Sequence, residues 1–308
     1  MWSPPKFRMM STSEYPFTPL SFEVRPGIRM AYLDEGPKDA PVILMLHGNP
    51  SWSFLWRRWI LGLRDQYRCI APDHVGMGSS DKPDDSQYTY TLDSRIDDVE
   101  ALLGHLGITG PLTLAVHDWG GGIGFGWAML HPAQVARLLI TNTGAFPLPK
   151  AKRLPRSLWL GRDTWVGALL IRGLNAFARG TAHIGSVRRL PREVFRGFIA
   201  PYNSWANRRS VLRFVQDIPL QQGDRAWSTI ERMGAFLPSL ANRPALIFWG
   251  LKDFVFDQHF LQGFRDALPD AQVHAYDDAA HYVLEDKAEV SLPLVREFLA
   301  ANPVESAA

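Results

Sequence analysis

The segment Leu114-Ala-Val-His-Asp-Trp-Gly-Gly-Gly122 limits the possible folds more than any other stretch of the chain. An apolar run passes through His117 and Asp118 into three consecutive glycines, so a strand must give way to a helix across one sharp turn. Glycine tolerates the strained backbone of such a turn and lets the helix approach the strand closely. Residues 41–46 are apolar throughout and end at Gly48-Asn49-Pro50, as expected of a strand buried on both faces. Residues 67–71, 112–116, 135–141, 245–249 and 272–276 read as further strands. Helical spacing over 92–106 follows Thr91, and a second helix over 124–130 stops before Pro132. Strand and helix alternating in this way predict an α/β fold with a mostly parallel central sheet and helices on both faces.

The alternation fails between residues 147 and 232, where Pro, Trp and Arg abound and only short helices are predicted. That stretch reads as a helical cap inserted into a sheet unit made of residues 1–146 and 233–308. A chain of 308 residues is long enough for such a core and insertion. The cap holds 16 Lys and Arg against 5 Asp and Glu, a net charge of +11, while the remainder carries 17 against 26, a net of −9. The first reading of this surplus is a solvated face that attracts the acidic core. The sharper reading is a peripheral docking surface for an anionic membrane or an acidic protein. Over the whole chain the charges nearly cancel at +2, which disfavours a nucleic-acid-binding protein.

Cys69 is the single cysteine and makes neither an internal disulfide nor a thiolate metal site, and no metal or cofactor is expected. No apolar run approaches the ~20 residues needed to span a bilayer, and residues 1–19 lack the apolar centre of a signal peptide. A cytoplasmic location is therefore expected. Met9 or Met10 is an alternative start, and the tail after Pro303 reads as frayed.

Asp118 has two readings at its turn. It caps the helix that follows, a common task for aspartate, or it occupies the tip of a nucleophile elbow, where serine is usual. The choice matters chemically. Serine attacking saturated carbon would leave an ether that water cannot cleave, whereas a carboxylate gives an ester that activated water can open at its carbonyl. An aspartate nucleophile thus points to carbon–halogen, epoxide or strained-ring cleavage. His281, after the strand at 272–276 and just before the last helix, is the candidate base, and Asp253, just after the strand at 245–249, the candidate acid that orients it. Asp257 is an alternative acid in the same loop. His47 and His117 read as structural. His74, His105, His131, His183, His259 and His274 read as satisfied or solvated. Asn49 and Trp119 flank the presumed site with side-chain N–H donors for a departing anion, and with backbone N–H groups for an oxyanion.

On these residues the chain resembles the α/β-hydrolases of the haloalkane dehalogenase group, over residues 15–299. Asp253 as acid, Asn49 as first donor and the absence of a carboxylate at Asn142-Thr143 are similar to the third subfamily of that group. Within it, the cap segments Ser204-Trp-Ala-Asn-Arg208 and Phe214-Val-Gln-Asp-Ile-Pro-Leu220 resemble the β-lactone decarboxylases (OleB) of bacterial long-chain olefin synthesis. The resemblance implies Asp118 as nucleophile, His281 as base, Asp253 as acid, and Asn49 with Trp119 as leaving-anion donors. It further implies conversion of a dialkyl cis-β-lactone to a cis-olefin and carbon dioxide, beside the enzymes OleC and OleD. Haloalkane hydrolysis is the alternative. An epoxide hydrolase would need two cap tyrosines, and the cap holds only Tyr202. The apolar substrate is expected to meet Trp159, Trp165, Phe177, Phe198 and Trp205, with Leu160, Leu169, Leu170 and Phe214 as further candidates; most such residues are simply core.

Overall fold

In the computed structural model residues 14–304 are described; the alternative start at Met9 or Met10 and nearly all of the tail after Pro303 lie outside them. The six predicted strands are present as β3 (Val42–Leu46), β4 (Arg68–Asp73), β5 (Leu112–Asp118), β6 (Val135–Thr143), β7 (Ala245–Gly250) and β8 (Gln272–Tyr276). They pair in parallel. Ahead of them stands an unpredicted hairpin, β1 (Leu20–Arg25) and β2 (Ile28–Glu35), with β2 antiparallel to β4. The full order is β1-β2-β4-β3-β5-β6-β7-β8. The hairpin escaped a search for continuous apolar runs because β1 lies at the sheet edge and is mostly half-buried or exposed. Its residues alternate instead, and the turn at Pro26-Gly27 has Gly27 at φ 72°.

The helices are α1 (Arg57–Leu63), α2 (Leu92–His105), α3 (Trp119–Leu130), α4 (Arg156–Asp163), α5 (Trp165–Leu174), α6 (Ala176–Ile184), α7 (Arg192–Ile199), α8 (Arg209–Gln216), α9 (Trp227–Phe236), α10 (Gln258–Ala267), α11 (Val283–Asp286) and α12 (Ala288–Ala301). Two apolar layers hold them to the sheet. One joins α2, α3, α9 and α10 to one face, and the other joins α1 and α12 to the opposite face. Thr91 begins α2 by accepting the N–H of Ser94, as its sequence position suggests. By contrast α3 starts at Trp119, five residues before the predicted start. Its glycines are poor helix formers, but close packing overrides propensity here: a Cβ on Gly120 would lie 2.0 Å from the Leu46 carbonyl oxygen.

No strand occurs among residues 144–244, which hold α4 to α9. Of these, α9 runs through residue 232, the expected end of the cap, and packs against α3. No helix among the described residues is long and apolar enough to cross a membrane.

Candidate active site

Parallel strands bring their C-terminal ends to one edge of the sheet, and side chains that follow β5, β7 and β8 meet there. Asp118 closes β5 at φ 52°, ψ −127°, a backbone conformation that costs a non-glycine residue roughly 1–3 kcal/mol. Its side chain makes no capping hydrogen bond to α3, so the helix-cap reading fails. Instead Oδ1 accepts the backbone N–H of Asn49 at 2.6 Å, and the carboxylate faces the backbone N–H of Trp119. Gly48 leaves the space for this: a Cβ there would fall 2.0 Å from Oδ1.

The other carboxylate oxygen, Oδ2, lies 3.7 Å from Nε2 of His281. Nδ1 of His281 is 2.8 Å from Oδ2 of Asp253. All three side chains are buried. Burial raises the Asp118 pKa above its ordinary value, despite the nearby imidazole and the two N–H groups. For His281 burial disfavours the charge, but Asp253, seconded by Asp118, outweighs it and raises the pKa. Asp253 moves the opposite way: burial would lift it, and the His281 charge together with its hydrogen bonds brings it below the usual value. Asp257, the alternative acid, is occupied elsewhere, pairing with Lys152 at 2.8 Å and capping α10.

Three further histidines surround the site uncharged. Burial pushes His47 and His117 down to about 3 and holds His74 well below its ordinary value. His117 Nε2 lies 2.9 Å from the His281 carbonyl oxygen, and His74 accompanies His47, its backbone N–H donating to the His47 ring. The structural reading of His47 and His117 therefore stands.

Sequence reasoning passed over Asn142, which it noted only as a place without a carboxylate. At the end of β6 the Asn142 amide donates to Asp253 Oδ2 at 3.0 Å and to the Gly250 carbonyl, while its oxygen accepts the Gly250 N–H at 2.8 Å. It fixes both the acid and the strand end that carries it. Asn142→Ala is expected to destabilise the fold by about 2 kcal/mol or more, since several buried groups lose their partners. A denaturant titration measures this. The loop around His281 is also tied to the segment between α6 and α7: the Tyr282 N–H donates to the Gly185 carbonyl, and Asp286 accepts the N–H groups of Ala280 and Val187.

Asp118, His281, Asn49 and Trp119 all open onto a cavity of about 110 Å³. Leu148, Leu154, Leu158 and Phe177 line it from the region between β6 and α8, with Phe146, Phe254 and Phe256 on the sheet side. Of the five expected substrate contacts only Phe177 lines this space. Trp159, Trp165 and Trp205 are exposed at the surface, and Phe198 stacks on Tyr282 in the core at 4.5 Å. Phe214 packs behind Trp119. The Trp119 indole N–H meets no acceptor among the described residues, leaving it free for an anion in the cavity. Asn49 differs from expectation: its amide N–H₂ donates to the Val211 carbonyl at 3.1 Å, leaving one hydrogen for the cavity. Among the described residues no group of three or more His, Cys, Asp or Glu side chains is arranged to hold a metal ion.

Residues 41–288 match the model of the alpha/beta hydrolase fold family. The chain belongs to the α/β-hydrolase family. Its relatives include a cis-3-alkyl-4-alkyloxetan-2-one decarboxylase of Xanthomonas campestris pv. campestris, 59% identical over 96% of this chain and 100% of the relative. A protein of the same name from Shewanella oneidensis is 50% identical over 90% of this chain and 87% of that one. Among solved structures, the haloalkane dehalogenase DbeA of Bradyrhizobium elkani superposes with a TM-score of 0.80 at 27% identity, covering 92% of this chain and 99% of that one. As an α/β-hydrolase the chain departs from the commonest elbow in one atom group: a carboxylate stands where serine is usual.

Proposed function

We propose that this α/β-hydrolase is a β-lactone decarboxylase that converts a long-chain dialkyl cis-β-lactone to a cis-olefin and carbon dioxide, using Asp118, His281 and Asp253 as a catalytic triad. The observation that carries the reading is the likeness, along almost the whole chain, to two proteins named for that ring, since oxetan-2-one is a β-lactone. The site geometry supports it. Oδ2 of Asp118 attacks the ring carbon bonded to the lactone oxygen, that C–O bond breaks, and a carboxylate is released toward the Asn49 amide and the Trp119 indole. Carbon dioxide then leaves, its bonding electrons form the double bond, and Asp118 is expelled as a carboxylate. Attack inverts the ring carbon and sets the new ester opposite the carboxylate; loss of both from opposite sides keeps the alkyl groups on one side, giving a cis-olefin. His281, held positive by Asp253, stabilises Asp118 in its ionised form before attack and after expulsion. On this reading the protein works in the cytoplasm, beside OleC and OleD.

Haloalkane hydrolysis is the second reading, favoured by the free indole donor of Trp119 and by the likeness to a dehalogenase. The two differ in what they ask of His281, because hydrolysis needs a neutral imidazole to activate water, whereas decarboxylation needs no water. For decarboxylation the acid limb of kcat is expected to follow Asp118 alone and to lie above the ordinary aspartate value of about 3.9. For hydrolysis, kcat would keep rising with pH through the raised His281 pKa, as the neutral form appears. The direct experiment supplies a synthetic cis-β-lactone and a 1-bromoalkane in parallel and measures olefin, carbon dioxide and halide. Halide release with no olefin would reject the decarboxylase.

A further inference from the structure

We infer that the outward face of the cap docks on an anionic phospholipid surface. Eight of the thirteen exposed large hydrophobic side chains lie between Trp159 and Trp205, including every exposed tryptophan among the described residues. Helix α5 turns an apolar face to solvent: Trp165 is 77% exposed, and Val166, Leu169 and Leu174 accompany it. Surface helices ordinarily present the reverse. The patch is continuous, since the Leu169 side chain and the Trp205 ring both reach within 4 Å of where a Cβ on Gly173 would stand. The Arg172 guanidinium sits 4.4 Å from the centre of the Trp205 ring.

The charge beside this patch is mainly positive, with Asp85 near Arg172 the acidic exception. No acidic residue occurs between Asp163 and Glu193, a stretch with five arginines. Several of the cap's basic groups are paired: Lys152 with Asp257, Arg209 and Arg213 with Asp85, and Arg162 with Asp224. A second set of four exposed arginines is not. The side chains of Arg179, Arg189, Arg192 and Arg196 make no hydrogen bond or ion pair among the described residues, and they ring a hollow of about 690 Å³ floored by Ala182, Phe195 and Ile199. Arg208, bonded to the carbonyls at the end of α5, feels the charge of Arg179 and links patch to hollow. Pairing with acidic residues accounts for the first set and leaves the second without a use. Tryptophan with arginine is the pairing found where proteins meet lipid headgroups, the ring at the interface and the cation on phosphate. The arginines would hold lipid phosphates while Trp165, Leu169 and Trp205 enter the headgroup layer.

The test is co-sedimentation of the full-length protein with vesicles of phosphatidylcholine, alone or mixed with phosphatidylglycerol. Binding to the mixed vesicles only is expected, weakening as salt is added. Each arginine near such a surface contributes roughly fivefold in affinity. Replacing Arg179, Arg189, Arg192 and Arg196 by Gln is therefore expected to cost more than about a hundredfold. The double change Arg189→Gln with Arg192→Gln, about twentyfold, covers the case in which the quadruple protein does not fold. Lipids brominated near the headgroup should quench tryptophan emission, and less so in Trp165→Phe. A native protein that stays in the supernatant with anionic vesicles at low salt overturns the inference. So does binding that ignores lipid charge or the arginine changes, or association with an acidic protein in place of the vesicles.

Discussion

Asp118→Ala is expected to lose at least about ten-thousandfold in turnover of the β-lactone, with neither olefin nor carbon dioxide above background. The reason is chemical: the ring is opened by an oxygen atom that alanine lacks, and no other carboxylate can take its place. Asp253 is locked behind the imidazole by four donors, including the Val255 N–H and the Asn142 amide. The same change tests the electrostatics. Because burial raises the Asp118 pKa in the folded chain, the native state binds that proton more tightly than the unfolded one. Stability must therefore fall as pH rises from the ordinary aspartate value to the raised one, and the ionised side chain burdens the fold at neutral pH. Asp118→Asn keeps the shape and removes the charge, so its melting temperature should exceed that of the native protein at pH 7. Full activity in the alanine protein would end the proposal.

His281→Ala is expected to divide the two chemistries. With a 1-bromoalkane, steady halide release should fall by about a hundred- to ten-thousandfold, the range for losing a general base. One halide per chain should still appear, because the alkyl ester forms on Asp118 and waits for water. Mass spectrometry of the Asp118 peptide would then show the added alkyl group. With the cis-β-lactone the ester carries its own exit, since loss of carbon dioxide expels Asp118 without water. Olefin formation should continue, slowed by roughly tenfold as the carboxylate loses its cation. An ester that accumulates from the lactone as well would mean that water, not decarboxylation, clears the intermediate.

Legibility from the sequence mostly followed burial. Strands buried on both faces were found because uninterrupted apolar runs admit few other readings; β8, an edge strand with no buried residue, was nonetheless bounded to the residue. The hairpin β1–β2 was missed because edge strand β1 is only partly buried and charged residues interrupt the apolar run of β2. Asp118, His281 and Asp253 could be named because each follows a recognisable strand and carries a group that solvent or core would not require. Their supporting contacts were less visible. Asn142 looks like any residue at a strand end until β7 is seen beside β6, and Arg57 pairs with Glu285 across 228 positions to hold the helix after His281. The cap misled most. Large aromatic side chains were assumed to face the substrate, yet Trp159, Trp165 and Trp205 face outward while leucines and phenylalanines line the cavity.

Helix α6 is nine residues long and serves two spaces. Phe177 and Thr181 border the reaction cavity, while Arg179, Ala182 and His183 border the basic hollow. The inner chamber, at about 110 Å³, is well below the ~300–1,000 Å³ that encloses a ligand of ordinary size, so a two-tailed substrate is expected to press its walls apart. Because one helix borders both rooms, filling the outer hollow is expected to change how readily the inner one opens, and by reciprocity the reverse.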